Sequence, residues 1–266
     1  MSVSTTWLLL EFTDELPKRL YQHAEAPAVQ RLFGATELAA YAEHSPLLVN
    51  VQSCPDVYGA FHQAPEQWPG LQLTTSHTAA DLLQHLRRML FVRFEGQRRG
   101  VLRYYSPRTA SYFFPACAEE RMHWLGPIQQ LDWYGATWAE EADQVRRLYS
   151  LDNPAAAHWQ QPPAGQAYIL GPENLQALQH QQAQRFLYHW WQQYPGVDYA
   201  HACVWIEEGR QLGFSSADGV TAFLNLRKAQ PTRPLPQQLS SEDDSQRLSA
   251  LERYWAAASN DKEHHP

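Results

Sequence analysis

Residues 78–127 read TAADLLQHLRRMLFVRFEGQRRGVLRYYSPRTASYFFPACAEERMHWLGP, and this stretch decides the fold of the N-terminal half. Its beginning predicts a capped helix, because Thr78 stands three residues before Asp81 in a capping-box arrangement. The apolar positions that follow recur at helical spacing: Leu82, Leu83, Leu86, Met89 and Leu90. The sequence therefore predicts a helix with one apolar stripe.

Two β-rich segments, 91–94 and 100–105, follow this helix, and the intervening EGQRR predicts a hairpin turn that contains Gly96. The alternation of a strand places Arg103 on the same face as Val101 and Tyr105. Because an arginine among apolar side chains is costly when it is alone, we expect Arg103 to have a partner.

Upstream of this stretch, strands are predicted at 6–12, 47–51 and 71–75, and a short helix at 36–43. Downstream, a helix begins at Pro172. A second helix at 199–212 ends at Gly213, which suits a left-handed cap, and a third at 217–227 is preceded by the capping candidates Ser215 and Ser216. The chain thus changes from mixed elements to helices.

We predict an α+β fold in which an N-terminal lobe, 1–151, has a small mixed β-sheet flanked by helices. Residues 152–165 are rich in Pro, Ala and Gln and predict a linker or crossing, although a loop inside one compact domain fits as well. A mainly helical lobe is expected at 166–230. The tail, 231–266, is expected to be extended and mobile, with an amphipathic helix at 241–258 that docks on its own chain or on a partner. Deleting the tail is expected to leave a folded protein.

Composition sets the class of protein. With 266 residues and 44% hydrophobic residues, the chain can bury a large core as one or two domains. No run approaches the length of a membrane span, and the N-terminus lacks the pattern of a signal peptide, so we expect a cytoplasmic protein without a membrane partner. Cys54, Cys117 and Cys203 form no CxxC pair, which favours reduced thiols over a zinc or disulfide framework.

Positive charge is concentrated in one segment, whereas the whole chain has a net charge of -7. Seven arginines stand against the single acid Glu95 between positions 87 and 108: Arg87, Arg88, Arg93, Arg98, Arg99, Arg103 and Arg108. The acidic whole repels phosphate at long range, which disfavours nucleic acid as a partner. An acidic protein fits this patch.

The chain has no motif that places a metal ion, a phosphate or a serine nucleophile, and we expect no cofactor, no metal and no catalytic residues. His201 and Cys203 diverge on a helix, and His180 and His189 are too far apart for a shared ion. Adjacent glutamates at 207 and 208 predict surface charge, and Asp132 predicts a cap or turn. Cys117 is expected to be a buried thiol.

Aromatic residues are abundant, with ten Trp, thirteen Tyr and ten Phe. Most are expected in the core, and a minority at a protein interface, where Trp and Tyr are enriched. The predicted partner-binding residues are Arg87, Arg88, Arg98, Arg99, Arg108, Trp190, Trp191, Tyr254 and Trp255.

Several segments together resemble one family. The run LFGATELAAYAEHSPLLV, the helix HLRRMLFVR, the hairpin RGVLRYYSPR, the FFPA turn and the WLGPI after it are similar to a domain-of-unknown-function family of adaptor chaperones for type VI secretion effectors, called Tap or Tec. The resemblance covers about residues 5–135, and EEGRQLGFSS extends it into the helical half, through Leu226. The structural signature is Arg103, Tyr104, Tyr105, Ser106, Pro107 and Arg108, where Ser106 replaces the usual aspartate.

This resemblance implies a cytoplasmic, non-enzymatic adaptor that binds a cognate secreted effector and promotes its loading onto the VgrG spike. If the family aspartate pairs with an arginine of the signature, Ser106 must leave that guanidinium to another partner, such as a hydroxyl hydrogen bond. The sequence does not name the effector, the stoichiometry or the lobe that contacts each partner.

Two other classes of function stay open. An immunity protein that binds and neutralises a toxin would also lack catalytic motifs. An enzyme would need a site assembled around Cys117 or Asp132, with a histidine nearby in a deep pocket. Binding to the spike and an unaffected toxin activity would favour the adaptor.

Overall fold

The structure is a computed structural model that describes residues 4–94, 98–117, 120–163, 165–239, 241 and 243–263. It confirms the α+β class, and the chain divides into an N-terminal unit, Met1–Gln182, and a C-terminal unit, Ala183–Pro266. This division falls inside a helix and not at 152–165. No helix in the described part of the chain is long and apolar enough to cross a membrane.

The strands are β1 (Thr5–Leu10), β2 (Val29–Arg31), β3 (Leu47–Asn50), β4 (Gly70–Thr75), β5 (Phe91–Phe94), β6 (Arg98–Val101), β7 (Gln130–Gly135), β8 (Arg147–Asp152) and β9 (Tyr168–Ile169). The helices are α1 (Leu16–His23), α2 (Pro55–Gln63), α3 (Ala79–Met89), α4 (Pro107–Ala116), α5 (Arg121–Leu125), α6 (Trp138–Ala142), α7 (Pro172–Trp191), α8 (Tyr199–Gln211), α9 (Ala217–Ala229) and α10 (Asp244–Glu263). Short 3-10 helices occupy Ala39–His44, Pro65–Gln67 and Ala156–His158.

A six-stranded antiparallel sheet organises the N-terminal unit, with the order β2-β3-β1-β4-β7-β8. The second sheet, β6-β5-β9, is small and mixed, because β5 is antiparallel to β6 and parallel to β9. The sequence predicts the small mixed sheet but not the larger antiparallel one.

Strand β1 lies inside the large sheet and is buried on both faces. Trp7 and Leu9 belong to the main core cluster, whereas Leu8 and Leu10 belong to a second cluster on the other face, with α1 and α2. Successive side chains of a strand point to opposite faces, so the uninterrupted run TWLLL supplies both clusters. Its predicted strand is confirmed.

Helix α3 begins as its sequence predicts. The Thr78 side chain accepts a hydrogen bond from the Asp81 backbone N–H at 3.1 Å, and Leu82, Leu86 and Met89 are completely buried. The cap satisfies one of the backbone donors that the first turn leaves without a helical partner. The same stripe carries His85, which the hydrophobic pattern did not mark as part of the core.

The segment 100–105 differs from the prediction, since β6 ends at Val101 and residues 104–106 form a turn into α4. Pro107 explains the difference, because its fixed φ favours the first position of a helix and it cannot donate to a strand ladder. The FFPA segment is likewise part of α4 and not a turn. The predicted hairpin turn around Gly96 lies outside the described residues.

His85 is buried beside Gly126, and its ring packs edge-on against Trp159 and Tyr168. Its Nε2 lies 3.0 Å from the Trp124 carbonyl oxygen, which can only accept, so Nε2 carries the proton. Its Nδ1 then accepts from the Tyr168 hydroxyl, 3.1 Å away. Burial, with smaller effects of Arg88 and His123, lowers the pKa of His85 to about 3, so the ring is neutral.

We expect the N-terminal unit to lose stability as the pH falls from about 6.5 towards about 3, the interval between the ordinary and the folded-state pKa of His85. In this interval the unfolded chain binds a proton at His85 and the folded chain does not. The free energy of unfolding should therefore fall by roughly 1 kcal/mol per pH unit from this group alone. Urea unfolding at a series of pH values measures the slope.

The matched variant is His85→Gln, whose side-chain amide can still donate to the Trp124 carbonyl. It should be less stable than the wild type at neutral pH, and the difference should shrink as the pH falls. An equal slope in both proteins, or an imidazole that titrates near pH 6.5 by NMR in the folded wild type, would contradict the burial of a neutral His85.

The C-terminal unit contains α8, α9 and α10, and its helix boundaries confirm the predicted signals. Gly213 has φ +91° after α8, and Ser216 caps α9 by accepting from the Gly219 backbone N–H at 3.0 Å. Arg227 of α9 is only 7% exposed and forms a two-point ion pair with Glu208, at 2.7 and 3.0 Å. Glu208 is therefore not the solvated surface charge that the sequence predicts.

Helix α10 confirms the predicted helix in the tail and packs against α9 in its own unit. Leu251 is completely buried and Trp255 is 2% exposed. The Trp255 indole N–H donates to the Pro234 carbonyl at 2.7 Å, which ties the proline-rich segment to the helix. Deleting 231–266 would remove the buried side chains of Leu251 and Trp255. In contrast to the expectation from the sequence, we therefore expect this deletion to unfold the C-terminal unit.

Candidate functional site

The signature residues 103–108 follow β6 and lead into the first turn of α4. The Tyr104 hydroxyl, buried in the core, donates to the Leu86 carbonyl at 2.7 Å, and burial raises the pKa of Tyr104 well above its ordinary value. Tyr105 packs edge-on against Phe33. Ser106 has extended backbone angles before α4 and makes no side-chain cap bond. The tyrosines of the signature are therefore structural.

Both arginines of the signature pair with carboxylates from distant segments. Arg103 donates to Glu11 at 2.8 Å, which confirms that it has a partner, but its side chain is 64% exposed and does not lie on an apolar face. Arg108 donates to Glu141 at 2.9 Å and to the carbonyls of Ala136 and Thr137. Carboxylates thus satisfy both guanidinium groups, and the Ser106 hydroxyl is not their partner.

A small polar cleft of about 170 Å³ adjoins this network, and Glu11, Ser106, Arg108, Tyr134, Glu141 and Arg146 line it together with neighbouring residues. Burial raises the pKa of Glu141, but hydrogen bonds from Arg146 and Arg108 outweigh this effect and leave the pKa below its ordinary value. A carboxylate that two arginines hold ionised is a poor proton donor or acceptor at neutral pH. The cleft therefore favours a structural role.

The sequence alone does not indicate that Glu11, Glu140 and Glu141 belong to this network. Glu11 is 92 positions from Arg103, and no local pattern connects them. One available signal was Thr137-Trp138-Ala139-Glu140, a capping box that the structure completes, with the Thr137 backbone N–H donating to Glu140 at 2.7 Å. That signal predicts α6, and α6 carries the carboxylate that binds Arg108.

The structure separates the arginines that were predicted to bind a partner. Arg87 donates to the carbonyls of Arg31 and Leu32, and Arg88 donates to those of Pro162 and Gln166. These two side chains and Arg108 thus bind groups of their own chain, and their role in partner binding stays a prediction. Arg98 and Arg99 are exposed on β6, and their role in partner binding stays a prediction.

The predicted aromatic contacts also separate into buried and exposed side chains. Trp190 is 4% exposed and donates to Asn225 at 3.0 Å, and Trp191 donates to the Val197 carbonyl at 2.6 Å. Trp190 and Trp255 are buried in the structure, and contact of their side chains with a partner stays a prediction. Tyr254 is 39% exposed and is accessible.

The outer face of the small sheet brings together side chains from three strands. In the register of the sheet, Arg93 of β5 lies directly opposite Arg99 of β6 and beside Ile169 of β9. Val101 follows Arg99 two positions later and shares its face. Ile169 is 67% exposed and Val101 is 48% exposed, whereas Val92 and Tyr168, on the inner face, are buried.

The candidate nucleophile and acid are engaged inside the fold. Burial raises the pKa of the Cys117 thiol to about 12, and the thiol contacts the Phe113 carbonyl at 3.1 Å and the Asn174 amide at 3.0 Å. Asp132 lies in β7 rather than in a cap or turn, and it accepts from the amides of Gln72 and Gln130, each at 3.1 Å. Neither group has the environment of an activated catalyst.

The candidate metal ligands lie on helices α7 and α8, as predicted. His201 lies 3.6 Å from Asp198 of its own helix. Within the described ranges, no three side chains of His, Cys, Asp or Glu are placed to hold a metal ion together.

Comparison with known proteins gives one match. No curated protein and no solved structure matches the chain. The family model described as a domain of unknown function, DUF4123, matches residues 6–123. The matched segment begins in β1, ends within α5 and contains the whole signature. The family resemblance found in the sequence is thus supported over residues 6–123, which are the part of this chain that matches DUF4123.

Proposed function

We propose that the protein is a cytoplasmic, non-enzymatic adaptor of type VI secretion, which binds a cognate secreted effector and promotes its loading onto the VgrG spike. The observation that carries this proposal is the match of residues 6–123 to DUF4123, together with the family resemblance of the same residues. The match is consistent with an adaptor, and the effector, the spike and the loading step belong to the proposal.

The chemistry of the described residues supports binding over catalysis. The Cys117 thiol is protonated at physiological pH, because its pKa is about 12. Glu141 is ionised and paired with Arg108 and Arg146. In contrast, the small sheet presents arginine and aliphatic side chains to solvent, and arginine is enriched in protein-binding surfaces.

We expect the full chain to co-purify with the toxin that is encoded beside its gene, and also with the spike protein of the same system. Tagged full-length protein would be co-expressed with each candidate, and the complexes measured by size-exclusion chromatography. The activity of the bound toxin would be assayed in parallel. Stable complexes with both proteins and an active toxin are the expected result.

A different outcome would replace the proposal. Loss of toxin activity on binding, without binding to the spike, would identify an immunity protein. Binding to neither protein would overturn the adaptor. A control protein with the Gly126→Ala substitution, which should not fold, would exclude nonspecific capture by the affinity tag.

A further inference from the structure

We infer that the outer face of the small sheet, defined by Arg93, Arg99, Val101 and Ile169, binds an extended acidic and aliphatic segment of the effector. This inference rests on the proposed function for the identity of the partner. Its chemistry rests on the sheet register, on the charges of the face and on the exposure of its aliphatic side chains.

The register of β5 and β6 places two positive charges side by side. Arg93 and Arg99 are directly opposed in an antiparallel pair, where β-carbons lie about 5 Å apart. A carboxylate placed between two guanidinium groups can accept charge-assisted hydrogen bonds from both. The face therefore favours an acidic ligand.

The environment of Arg99 already contains one carboxylate. Glu37 lies 2.6 Å from its Nη2, and both side chains are mostly exposed, at 57% and 66%. An exposed ion pair of this kind contributes little to stability. It can therefore be exchanged at low cost for a carboxylate of a partner that also covers the adjacent apolar side chains.

Val101 and Ile169 give the face its aliphatic part. They lie on the two outer strands, β6 and β9, with the opposed arginines in the same face. Burying such side chains against a partner contributes about 25 cal/mol of favourable free energy for each Å² of apolar area removed from water. A segment that combines a carboxylate with aliphatic side chains at neighbouring positions would match both parts of the face.

Strand β6 also forms an edge of its sheet, because the order is β6-β5-β9. An extended segment that pairs with this edge would place alternate side chains on the outer face, opposite Arg99 and Val101. The expected ligand pattern is an acidic residue followed, two positions along, by an aliphatic residue. The net charge of -7 disfavours nucleic acid as the occupant of this face.

The test compares two charge reversals that differ by one position. Arg99→Glu alters the outer face, whereas Arg98→Glu makes the same change of net charge on the opposite side of β6. We expect Arg99→Glu to weaken the complex with the effector by at least about tenfold, and Arg98→Glu by less than about threefold. Titration calorimetry on the full chains would measure both, with circular dichroism to confirm folding and Arg99→Gln as a milder variant.

Two defined probes separate the chemical class of the ligand. One is a synthetic peptide that repeats Glu-Ser-Val-Ser, so that glutamate and valine lie two positions apart on one face of the extended chain, and the other is a single-stranded oligonucleotide. The wild type should bind the peptide in preference to the oligonucleotide, and Arg99→Glu should lose this binding. Tighter binding of the oligonucleotide would overturn the inference.

The outcomes distinguish this inference from the proposed function. If the effector binds the wild type and both charge reversals weaken it equally, the adaptor stands and the sheet face is not its binding site. If the effector does not bind the wild type, the proposed function fails, and the effector is not the occupant of this face.

Discussion

Replacing Gly126 with alanine is expected to abolish folding of the N-terminal unit. Gly126 has φ +54° and ψ −116°, a conformation that residues with a β-carbon rarely adopt. An added β-carbon would also lie 2.6 Å from Nδ1 and 2.8 Å from Nε2 of His85, which cannot move aside because it is packed in the core. Strain and overlap together should exceed about 4 kcal/mol, a large part of the stability of a domain.

Two other glycines serve as controls that separate the backbone strain of a positive φ from the overlap with His85. Gly165 also has a positive φ, of +83°, but an added β-carbon meets no atom within 4 Å, so Gly165→Ala should cost only about 1–2 kcal/mol. Gly59 lies within helix α2, also with free space, and Gly59→Ala should stabilise the protein by about 0.5–1 kcal/mol. Urea unfolding and soluble yield would measure all three. A Gly126→Ala protein as stable as Gly165→Ala would disprove the close contact with His85.

Replacing Trp255 with alanine is expected to destabilise the C-terminal unit by about 3–5 kcal/mol, as for other buried aromatic side chains. The indole is 2% exposed, and the substitution also leaves the Pro234 carbonyl without its donor. The neighbouring Tyr254 is 39% exposed and provides the matched control. Tyr254→Ala should change the free energy of unfolding by less than about 1 kcal/mol.

Chemical denaturation followed by circular dichroism would measure this difference, and binding to the effector would be measured for the variants that fold. The prediction from the sequence that Trp255 binds a partner implies a different result. It requires a Trp255→Ala protein of unchanged stability that no longer binds its partner. This result would show that α10 leaves its own unit in the functional complex.

Local sequence signals predict the helices and strands that depend on interactions between neighbouring residues. Thr78 with Asp81 marks the start of α3, and Gly213 and Ser216 mark the turn between α8 and α9. The run TWLLL predicts β1 because burial on both faces needs an uninterrupted apolar strand. In each case the interacting groups lie within a few residues of one another.

The sequence does not predict contacts that depend on distant segments. The ion pairs of Arg103 with Glu11 and of Arg108 with Glu141 join distant segments of the chain, so the sequence predicts Arg108 as a partner-binding residue and does not indicate its carboxylate partner. Similarly, an amphipathic pattern identifies the apolar side of α10 but not the surface that covers it. The sequence predicts the α+β class, whereas the exposure of each arginine depends on contacts between distant segments that no local pattern indicates.

The position of Asp244 in the sequence affects when the C-terminal unit can complete its folding during synthesis. Its carboxylate accepts from the Ser215 and Ser216 backbone N–H groups, at 3.2 and 2.8 Å, and so caps α9 from a position 28 residues later in the chain. During synthesis, α9 emerges before the residue that completes its first turn and before the tryptophan that covers its core. A nascent or prematurely terminated chain that lacks α10 would therefore display unsatisfied amides and bare apolar surface, the features by which chaperones and proteases recognise unfinished proteins.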